Sequence, residues 1–160
     1  MGWSSWNTYR VNINEELIKK QADAMISQEL DKVGYHFINI DDGFFGFRDE
    51  KGILHTHPQR FPNGMKGIAD YIHSLGLKAG IYSEAGANTC GSLWDGDKNG
   101  VGVGLMDLNI RMPTFLQRMG FDFIKIDYCG AGQQLDLEEQ ERYTEIWSMP
   151  SAKFVHEIFL

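Results

Sequence analysis

The segment from Gly120 to Gly130 constrains the fold more than any other part of the chain. Four of the six residues from Phe121 to Ile126 are apolar, and such a nearly continuous apolar run is typical of a parallel strand buried on both faces. Because side chains alternate along a strand, Lys125 and Asp127 are predicted to lie on the same side of it. In α/β proteins ligands bind at the carboxyl ends of parallel strands, where this pair falls. The pair therefore belongs either to a binding site or to a structural ion pair that closes the strand.

The composition is that of one acidic globular domain. The 160 residues are 42% hydrophobic and 23% charged, and the net charge is −7, which suits a single domain. The acidity argues against nucleic acid or an anionic membrane surface as the main partner. No apolar run approaches the roughly 20 residues that a membrane-spanning helix needs, and the first residues lack a signal-peptide pattern. We therefore expect neither a nucleic-acid nor a membrane partner.

Strands and helices are predicted to alternate along the chain in four successive units. The first helix begins at an N-cap, Asn14, and runs to about Lys32, because Gly34 then stops it. Two long loops are predicted, from Gly43 to Asn63 and from Gly86 to Gly104. The other elements are strands at Trp3–Trp6, Tyr35–Asp42 and Leu77–Glu84, and helices at Met65–Ser74, after Gly104, and at Leu137–Trp147 with Asp136 as its N-cap.

This alternation implies a parallel sheet with helical crossovers. A doubly wound sheet and a (β/α)₈ barrel both satisfy the pattern. The barrel needs eight units and typically about 250 residues. In that case the chain would contain only about the first four βα units, which is half of a barrel.

The predicted strand ends supply the candidate functional residues. Each has an ordinary structural explanation alone: a turn for the paired acids, and core packing for the aromatic rings. Together on one rim they suit a neutral sugar, since acids accept hydrogen bonds from its hydroxyls, a lysine donates to them and a ring covers its apolar face. The candidates are Trp6, Asp41, Asp42, Tyr82, Glu84, Lys125 and Asp127.

Asp127 is a candidate nucleophile at the end of the fourth strand. Lys125, two residues earlier on the same side, would keep that carboxylate ionised. A retaining glycosidase needs such a nucleophile and a second carboxyl group about 5–5.5 Å away as the acid/base. The residue pattern thus permits glycoside hydrolysis.

The two cysteines, Cys90 and Cys129, follow the third and fourth predicted strands and are expected to be neighbours. They could form a disulfide, contribute to a metal site or remain free. A disulfide would favour an oxidising compartment, either extracellular or periplasmic. A metal-dependent hydrolase is a further alternative, with oxygen and nitrogen ligands from His55, His57, Asp41 and Asp42.

Six short motifs follow one another along the chain. They are MGWSSWN at 1–7, IDDG at 40–43, PQRFPNG at 58–64, HSLGLKAGIY at 73–82, NTC at 88–90 and KIDYC at 125–129. Together they resemble glycoside hydrolase family 27, the α-galactosidase and α-N-acetylgalactosaminidase family. The resemblance covers about residues 1–104 and 119–147, and it makes residues 1–160 a partial catalytic domain.

The resemblance implies a (β/α)₈ barrel that hydrolyses terminal α-D-galactosyl residues by double displacement, with retention and without a cofactor. Asp127 matches the family's nucleophile, and Lys125 matches a lysine that binds sugar hydroxyls. The implied partner is an α-galactoside oligosaccharide or glycoconjugate. The remaining matches are acids at the O4 and O6 side of galactose, aromatic residues of the sugar pocket and a disulfide pair: Asp41 and Asp42, Trp6 and Tyr82, and Cys90 and Cys129.

The chain also departs from the family pattern. Glu84 stands where the family more often has Asp, residues 105–118 do not resemble its third crossover helix, and residues 148–160 are unassigned. The family's acid/base lies on a later strand that this chain does not reach, so the chain resembles an N-terminal half. The alternative to catalysis is a sugar-binding half barrel, or one that self-associates through its open edge.

Overall fold

A computed structural model of the protein describes residues 1–106, 120–131, 136, 138 and 139. Two short 3₁₀ turns lie at Asp31–Val33 and Lys98–Gly100. Within the described residues the strands are β1 (Gly2–Ser4), β2 (Phe37–Ile40), β3 (Phe45–Arg48), β4 (Leu54–Thr56), β5 (Lys78–Glu84) and β6 (Phe123–Asp127). The helices are α1 (Trp6–Tyr9), α2 (Glu15–Ser27), α3 (Gly64–Ser74) and α4 (Cys90–Trp94).

Four parallel strands form the central sheet, in the order β1-β2-β5-β6. Strand β5 pairs with β6 so that Tyr82 lies beside Lys125 and Glu84 beside Asp127. The carboxyl ends of β5 and β6 therefore end at the same level of the sheet, as the strand pattern predicted. Strands β3 and β4 form a separate antiparallel hairpin.

One side of the central sheet is apolar and forms the core with two helices. Residues Ile38, Ile40, Ala79 and Ile81 of β2 and β5 are buried, and the apolar side chains of α2 and α3 belong to the same cluster. Helix α2 begins as predicted, with the Asn14 side chain accepting a hydrogen bond from the Leu17 N–H at 2.9 Å. The opposite side of the sheet carries polar residues, glycine and the rings of Phe37, Tyr82 and Phe123, and it contains the candidate site.

Several predicted bounds were wrong. The strand predicted at Tyr35–Asp42 is limited to Phe37–Ile40. Helix α2 ends at Ser27 rather than near Lys32, because the backbone of Glu29 adopts a left-handed φ of 58°. Strand β1 ends at Ser4, and Trp6 instead begins α1. The predicted loop from Gly86 to Gly104 contains α4 and the second 3₁₀ turn.

The predicted loop from Gly43 to Asn63 was also wrong in part, because it contains the β3–β4 hairpin. One oxygen of the Asp49 side chain accepts hydrogen bonds from the N–H groups of Lys51 and Ile53, both at 2.9 Å, and so closes the turn. The Arg48 side chain then donates to the carbonyl oxygens of Val103 and Gly104. The hairpin is therefore attached to a distant part of the chain.

Strand β6 is not buried on both faces, which corrects the expectation from its apolar sequence. Phe123 is 48% exposed, and the residues from Ile124 to Asp127 are half-buried. The physical reason is the position of β6 at the edge of the described sheet, where it pairs with β5 on one side alone.

The remaining predictions concern the helices beside and after β6, and whether any helix could cross a membrane. The N–H of Glu139 donates to Asp136 and the N–H of Asp136 donates to Glu139, which is the reciprocal bonding of a capping box. Asp136 thus has the N-cap contacts that were predicted, while most of the predicted helices at 105–118 and 137–147 lies outside the described residues. No described helix is long and apolar enough to cross a membrane.

Candidate active site

The side chain of Lys125 lies at the centre of the candidate site. Its Nζ is 2.9 Å from Oδ2 of Asp41 and 3.0 Å from Oδ2 of Asp127, and it lies 5.5 Å from the ring centroid of Tyr82. The side chain of Asp41 is 2% exposed, whereas those of Lys125 and Asp127 are 38% and 32% exposed. The structural ion pair considered for this strand end therefore exists, and its lysine and second aspartate are accessible to a ligand.

The electrostatics keep the Lys125 side chain positively charged. Partial burial disfavours the ammonium, but its hydrogen bonds and charge interactions with Asp41 and Asp127 outweigh that cost and raise the pKa of Lys125. An ammonium group has three N–H donors, more than two carboxylates require. Lys125 can therefore donate a hydrogen bond to a ligand hydroxyl while it holds both acids.

Asp41 and Asp42 join the end of β2 to its neighbours, the first through its backbone N–H and the second through its carboxylate. The Asp41 N–H donates to Oγ of Ser5 at 3.0 Å. Asp42 is 1% exposed and accepts from the N–H groups of Gly43 at 2.8 Å and Gly91 at 2.6 Å. Burial is the largest influence on Asp42 and raises its pKa, although these hydrogen bonds act in the opposite direction. Asp42 thus fixes the start of α4 against β2.

Tyr82 lies beneath Lys125 and is fully buried. Its hydroxyl accepts a hydrogen bond from the Cys90 N–H at 3.1 Å, and its ring meets Phe45 edge-on at 6.1 Å between centroids. Burial, followed by the nearby charge of Asp42, raises the pKa of Tyr82, so the hydroxyl stays protonated. In this position Tyr82 supports the ammonium group of Lys125 through its ring face.

Glu84 organises the loop that follows β6. Its buried carboxylate accepts backbone N–H hydrogen bonds from Gly86, Cys129, Gly130 and Ala131, at 3.0 to 3.4 Å. Burial is the largest influence and raises the pKa of Glu84, while the four N–H groups act in the opposite direction. This glutamate, one of the departures from the family pattern, therefore holds the backbone next to Asp127.

The predicted pair Cys90 and Cys129 forms a disulfide, with its Cα atoms 5.2 Å apart. Sγ of Cys90 lies 3.6 Å from Oδ2 of Asp127, so the bridge packs against the candidate nucleophile. Among the described residues, the one group with metal-ligand spacing is Glu84, Cys90 and Cys129. Its two sulfur atoms are bonded to each other and are not thiolate ligands.

The proposed histidine metal site is not assembled in the described part of the chain. Nε2 of His55 lies 3.0 Å from Oδ2 of Asp49. Nδ1 of His57 accepts a hydrogen bond from the Arg60 N–H at 3.3 Å. Neither histidine forms a metal-ligand group with the acids at the end of β2.

Lys125 and the residues around its ammonium group, Asp41, Asp127 and Tyr82, form what we call the lysine cluster. Trp6 lies next to this cluster rather than within it. Its ring is 6.3 Å from that of Trp94, and the guanidinium of Arg10 lies 4.4 Å above it. It follows Ser5, whose hydroxyl accepts the hydrogen bond from Asp41. The sequence reasoning gave no role to four neighbours of this rim: Ser5 and Thr89, which lie within the MGWSSWN and NTC motifs, and Gly91 and Trp94, which follow NTC. Thr89 hydrogen-bonds to Asp42 through its side chain.

Comparisons with known proteins identify the family to which the chain belongs. A family model described as alpha galactosidase A matches residues 1–150. Alpha-galactosidase 2 of Arabidopsis thaliana is 42% identical over 147 residues, which are 91% of this chain and 34% of the relative. The chain therefore spans about a third of the length of such relatives.

Solved structures show the same architecture. Alpha-galactosidase I of Mortierella vinacea matches with a TM-score of 0.79 and 34% identity, over 99% of this chain and 37% of that one. An α-galactosidase of Saccharomyces cerevisiae with raffinose matches with a TM-score of 0.82 and 28% identity, over 100% of this chain and 33% of that one. The parallel sheet and its helices are thus part of a (β/α)₈ barrel. The chain belongs to glycoside hydrolase family 27, the α-galactosidase family.

Proposed function

We propose that this chain provides the nucleophile side of a retaining α-galactosidase. The observation that supports this most directly is the accessible Asp127 carboxylate beside the Lys125 ammonium at the ends of β5 and β6. Lys125 binds hydroxyls of the terminal sugar, and Asp127 attacks its anomeric carbon. The family membership of residues 1–150 supports the same chemistry.

In the proposed reaction, a carboxylate oxygen of Asp127 forms a bond to the anomeric carbon as the glycosidic C–O bond breaks. The leaving oxygen takes a proton from a second carboxyl group, to which we assign no described residue. Water then attacks the anomeric carbon and breaks its bond to Asp127, while the carboxylate that gave its proton in the first step takes a proton from the water. The sugar leaves with its original anomeric configuration. The disulfide and the Glu84 hydrogen bonds hold the backbone around Asp127 during both steps.

The proposed substrates are oligosaccharides or glycoconjugates that end in an α-galactosyl residue. The relative from Saccharomyces cerevisiae that was solved with raffinose supports this class. The family resemblance assigns Asp41 and Asp42 to the O4 and O6 side of galactose and Trp6 to its ring. In this proposal the sugar hydroxyls reach the carboxylate edges of these two acids, which are 2% and 1% exposed. Tyr82 is fully buried, so in this proposal it holds Lys125 in place from beneath.

A dinitrophenyl α-galactoside tests the nucleophile, because its leaving group needs little help from an acid. We expect dinitrophenol release by the native chain, with galactosyl azide formed when azide is present. Asp127→Asn should abolish both products. The matched control is Asp70→Asn on α3, which removes an exposed carboxylate paired with Lys66 and should leave release unchanged. Release that survives in Asp127→Asn would overturn the assignment.

A second candidate function is a non-catalytic half barrel that binds sugar or self-associates. The exposed Phe123 favours self-association, because it lies on β6 at the edge of the described sheet. Sedimentation would then give twice the monomer mass, and Phe123→Lys would restore the monomer. Galactoside binding without dinitrophenol release would support the sugar-binding form.

A metal-dependent hydrolase has less support. His55 is paired with Asp49, and His57 accepts a hydrogen bond from Arg60. We therefore expect a chelator such as EDTA to leave dinitrophenol release unchanged. A loss of release that zinc restores would favour the metal alternative.

A further inference from the structure

The tryptophan at the end of α4 has an unusual environment. Trp94 is 60% exposed, and its ring packs against that of Trp6 at 6.3 Å with an angle of 51° between the planes. Isolated exposed apolar residues are common on protein surfaces. An exposed tryptophan that packs against a second tryptophan, next to a candidate active site, is less common and suggests a ligand-binding surface.

The end of α4 that carries Trp94 is fixed by the polar contacts of Asp95, and Arg10 lies beside the Trp94 ring. Asp95, the next residue, accepts hydrogen bonds from Nε and Nη2 of Arg10 at 2.7 to 3.2 Å. The Arg10 guanidinium lies 4.4 Å from the Trp6 ring centroid and 5.9 Å from that of Trp94. The Asp95 N–H closes the helix on the carbonyl of Gly91 at 2.9 Å. A ring held in this way loses little conformational entropy when a ligand stacks on it.

Each tryptophan lies a few residues along the chain from a residue that contacts Asp41 or Asp127. Trp6 follows Ser5, which accepts the hydrogen bond from the backbone of Asp41. Trp94 lies four residues after Cys90, or about 6 Å along a helix axis. Sγ of Cys90 is 3.6 Å from Asp127. Both rings therefore belong to short segments that contact the ends of β2 and β6 directly.

The charges beside the rings favour a neutral ligand. Arg10 and Asp95 neutralise each other through a two-pronged ion pair. The ligand surface beside this ion pair is then the apolar ring face of Trp94, with its indole N–H and the remaining N–H groups of the partly exposed Arg10 as polar donors. The apolar faces of sugar rings stack on surfaces of this kind.

We propose that Trp94 binds the second sugar of the substrate, the neutral residue attached to the terminal galactosyl group. Trp6 serves the first sugar, and Trp94 extends the aromatic surface to the leaving-group side. This inference rests on the proposed function and adds to it a preference for oligosaccharides over simple galactosides.

NMR titration of the ¹⁵N-labelled chain tests the inference. The four tryptophans give separate indole signals, and Trp94→Phe identifies that of Trp94. We expect raffinose to shift the Trp94 signal and methyl α-galactoside to leave it in place. Trp94→Ala should lower the affinity for raffinose about tenfold, which is the effect of one lost aromatic stack. It should change the affinity for methyl α-galactoside less than about twofold. Trp94→Phe should retain most of the affinity.

Leu93→Ala is the matched control, because Leu93 is the adjacent residue of α4 and is 42% exposed. It should leave both affinities unchanged. The inference fails, while the proposed function stands, if methyl α-galactoside binds but Trp94→Ala lowers the affinity for both sugars equally or for neither. If neither sugar shifts any signal of the native chain, the inference and the proposed function fail together.

Discussion

Lys125 donates a 2.9 Å hydrogen bond to Asp41, although 84 residues separate them in the chain. The contact joins β6 to the end of β2 across the strand between them, and it neutralises a carboxylate that is 2% exposed. The same ammonium contacts Asp127. One lysine thus stabilises a buried acid and, in the proposed mechanism, orients the nucleophile.

Lys125→Met should destabilise the fold because it leaves the Asp41 carboxylate buried without its cation. We expect a loss of about 2 kcal/mol, below the range for fully buried pairs since Lys125 is partly exposed. Urea unfolding measures the loss. Lys20→Met, which removes a pair exposed on both sides, should cost less than about 0.5 kcal/mol. Equal losses in the two variants would contradict the role given to Lys125, and adding Asp41→Asn to Lys125→Met should recover stability.

Glu84→Gln should destabilise the fold, and the loss should depend on pH. The amide nitrogen cannot accept the backbone hydrogen bonds that Glu84 accepts, so we expect about 1–3 kcal/mol. The raised pKa of Glu84 means that the native state binds its proton more tightly than the unfolded state. The native chain therefore loses stability relative to Glu84→Gln as the pH rises from the ordinary glutamate range through the raised pKa.

Urea unfolding of both chains between pH 4 and pH 7 measures this dependence. The stability difference should be largest at the acidic end and should narrow toward neutrality. Glu16→Gln on the surface of α2 is the control, since that side chain is 75% exposed, and it should show no comparable narrowing. A difference that widens toward neutral pH would mean that the Glu84 carboxylate is stabilised in its charged form.

The Cys90–Cys129 bridge should contribute strongly to stability. It closes a segment of 39 residues, for which the chain-entropy model gives about 4 kcal/mol. Reduction by dithiothreitol, or Cys90→Ala with Cys129→Ala, should lower the unfolding midpoint accordingly. Dithiothreitol should have no effect on the double variant. An equal effect on both chains would show that the reductant acts elsewhere.

The strand ends could be predicted from the sequence because their signal is local. Apolar runs that end on charged residues locate the ends of β2, β5 and β6, and parallel strands bring those ends to one edge. That reasoning was enough to associate Lys125 with Asp127 and Cys90 with Cys129. It did not associate Lys125 with Asp41, because no local pattern specifies that contact across the sheet.

The contacts that could not be predicted join distant segments. The hairpin of β3 and β4 depends on Arg48, which reaches carbonyl oxygens 55 and 56 residues later. Glu84 binds N–H groups 45 to 47 residues away. The half-burial of β6 depends on which strands lie beside it, whereas its apolar composition suggested two covered faces. Each of these outcomes depends on tertiary packing, which the hydrophobic periodicity of a single segment does not encode.

Two glycine-to-alanine substitutions should have opposite effects on stability. One glycine is required by a close contact at the site, and the other only lowers the helix propensity of α3. A Cβ on Gly91 would lie 2.7 Å from Oδ2 of Asp42 and closer still to the Val11 side chain, so Gly91→Ala must displace the carboxylate that fixes α4. We expect a loss of about 1–3 kcal/mol and weaker galactoside binding. Gly67→Ala on α3 meets only an ordinary contact at 3.4 Å and should gain about 0.5–1 kcal/mol. Urea unfolding compares the two, and a Gly91→Ala chain as stable as the native one would show that α4 can move away from β2 without cost.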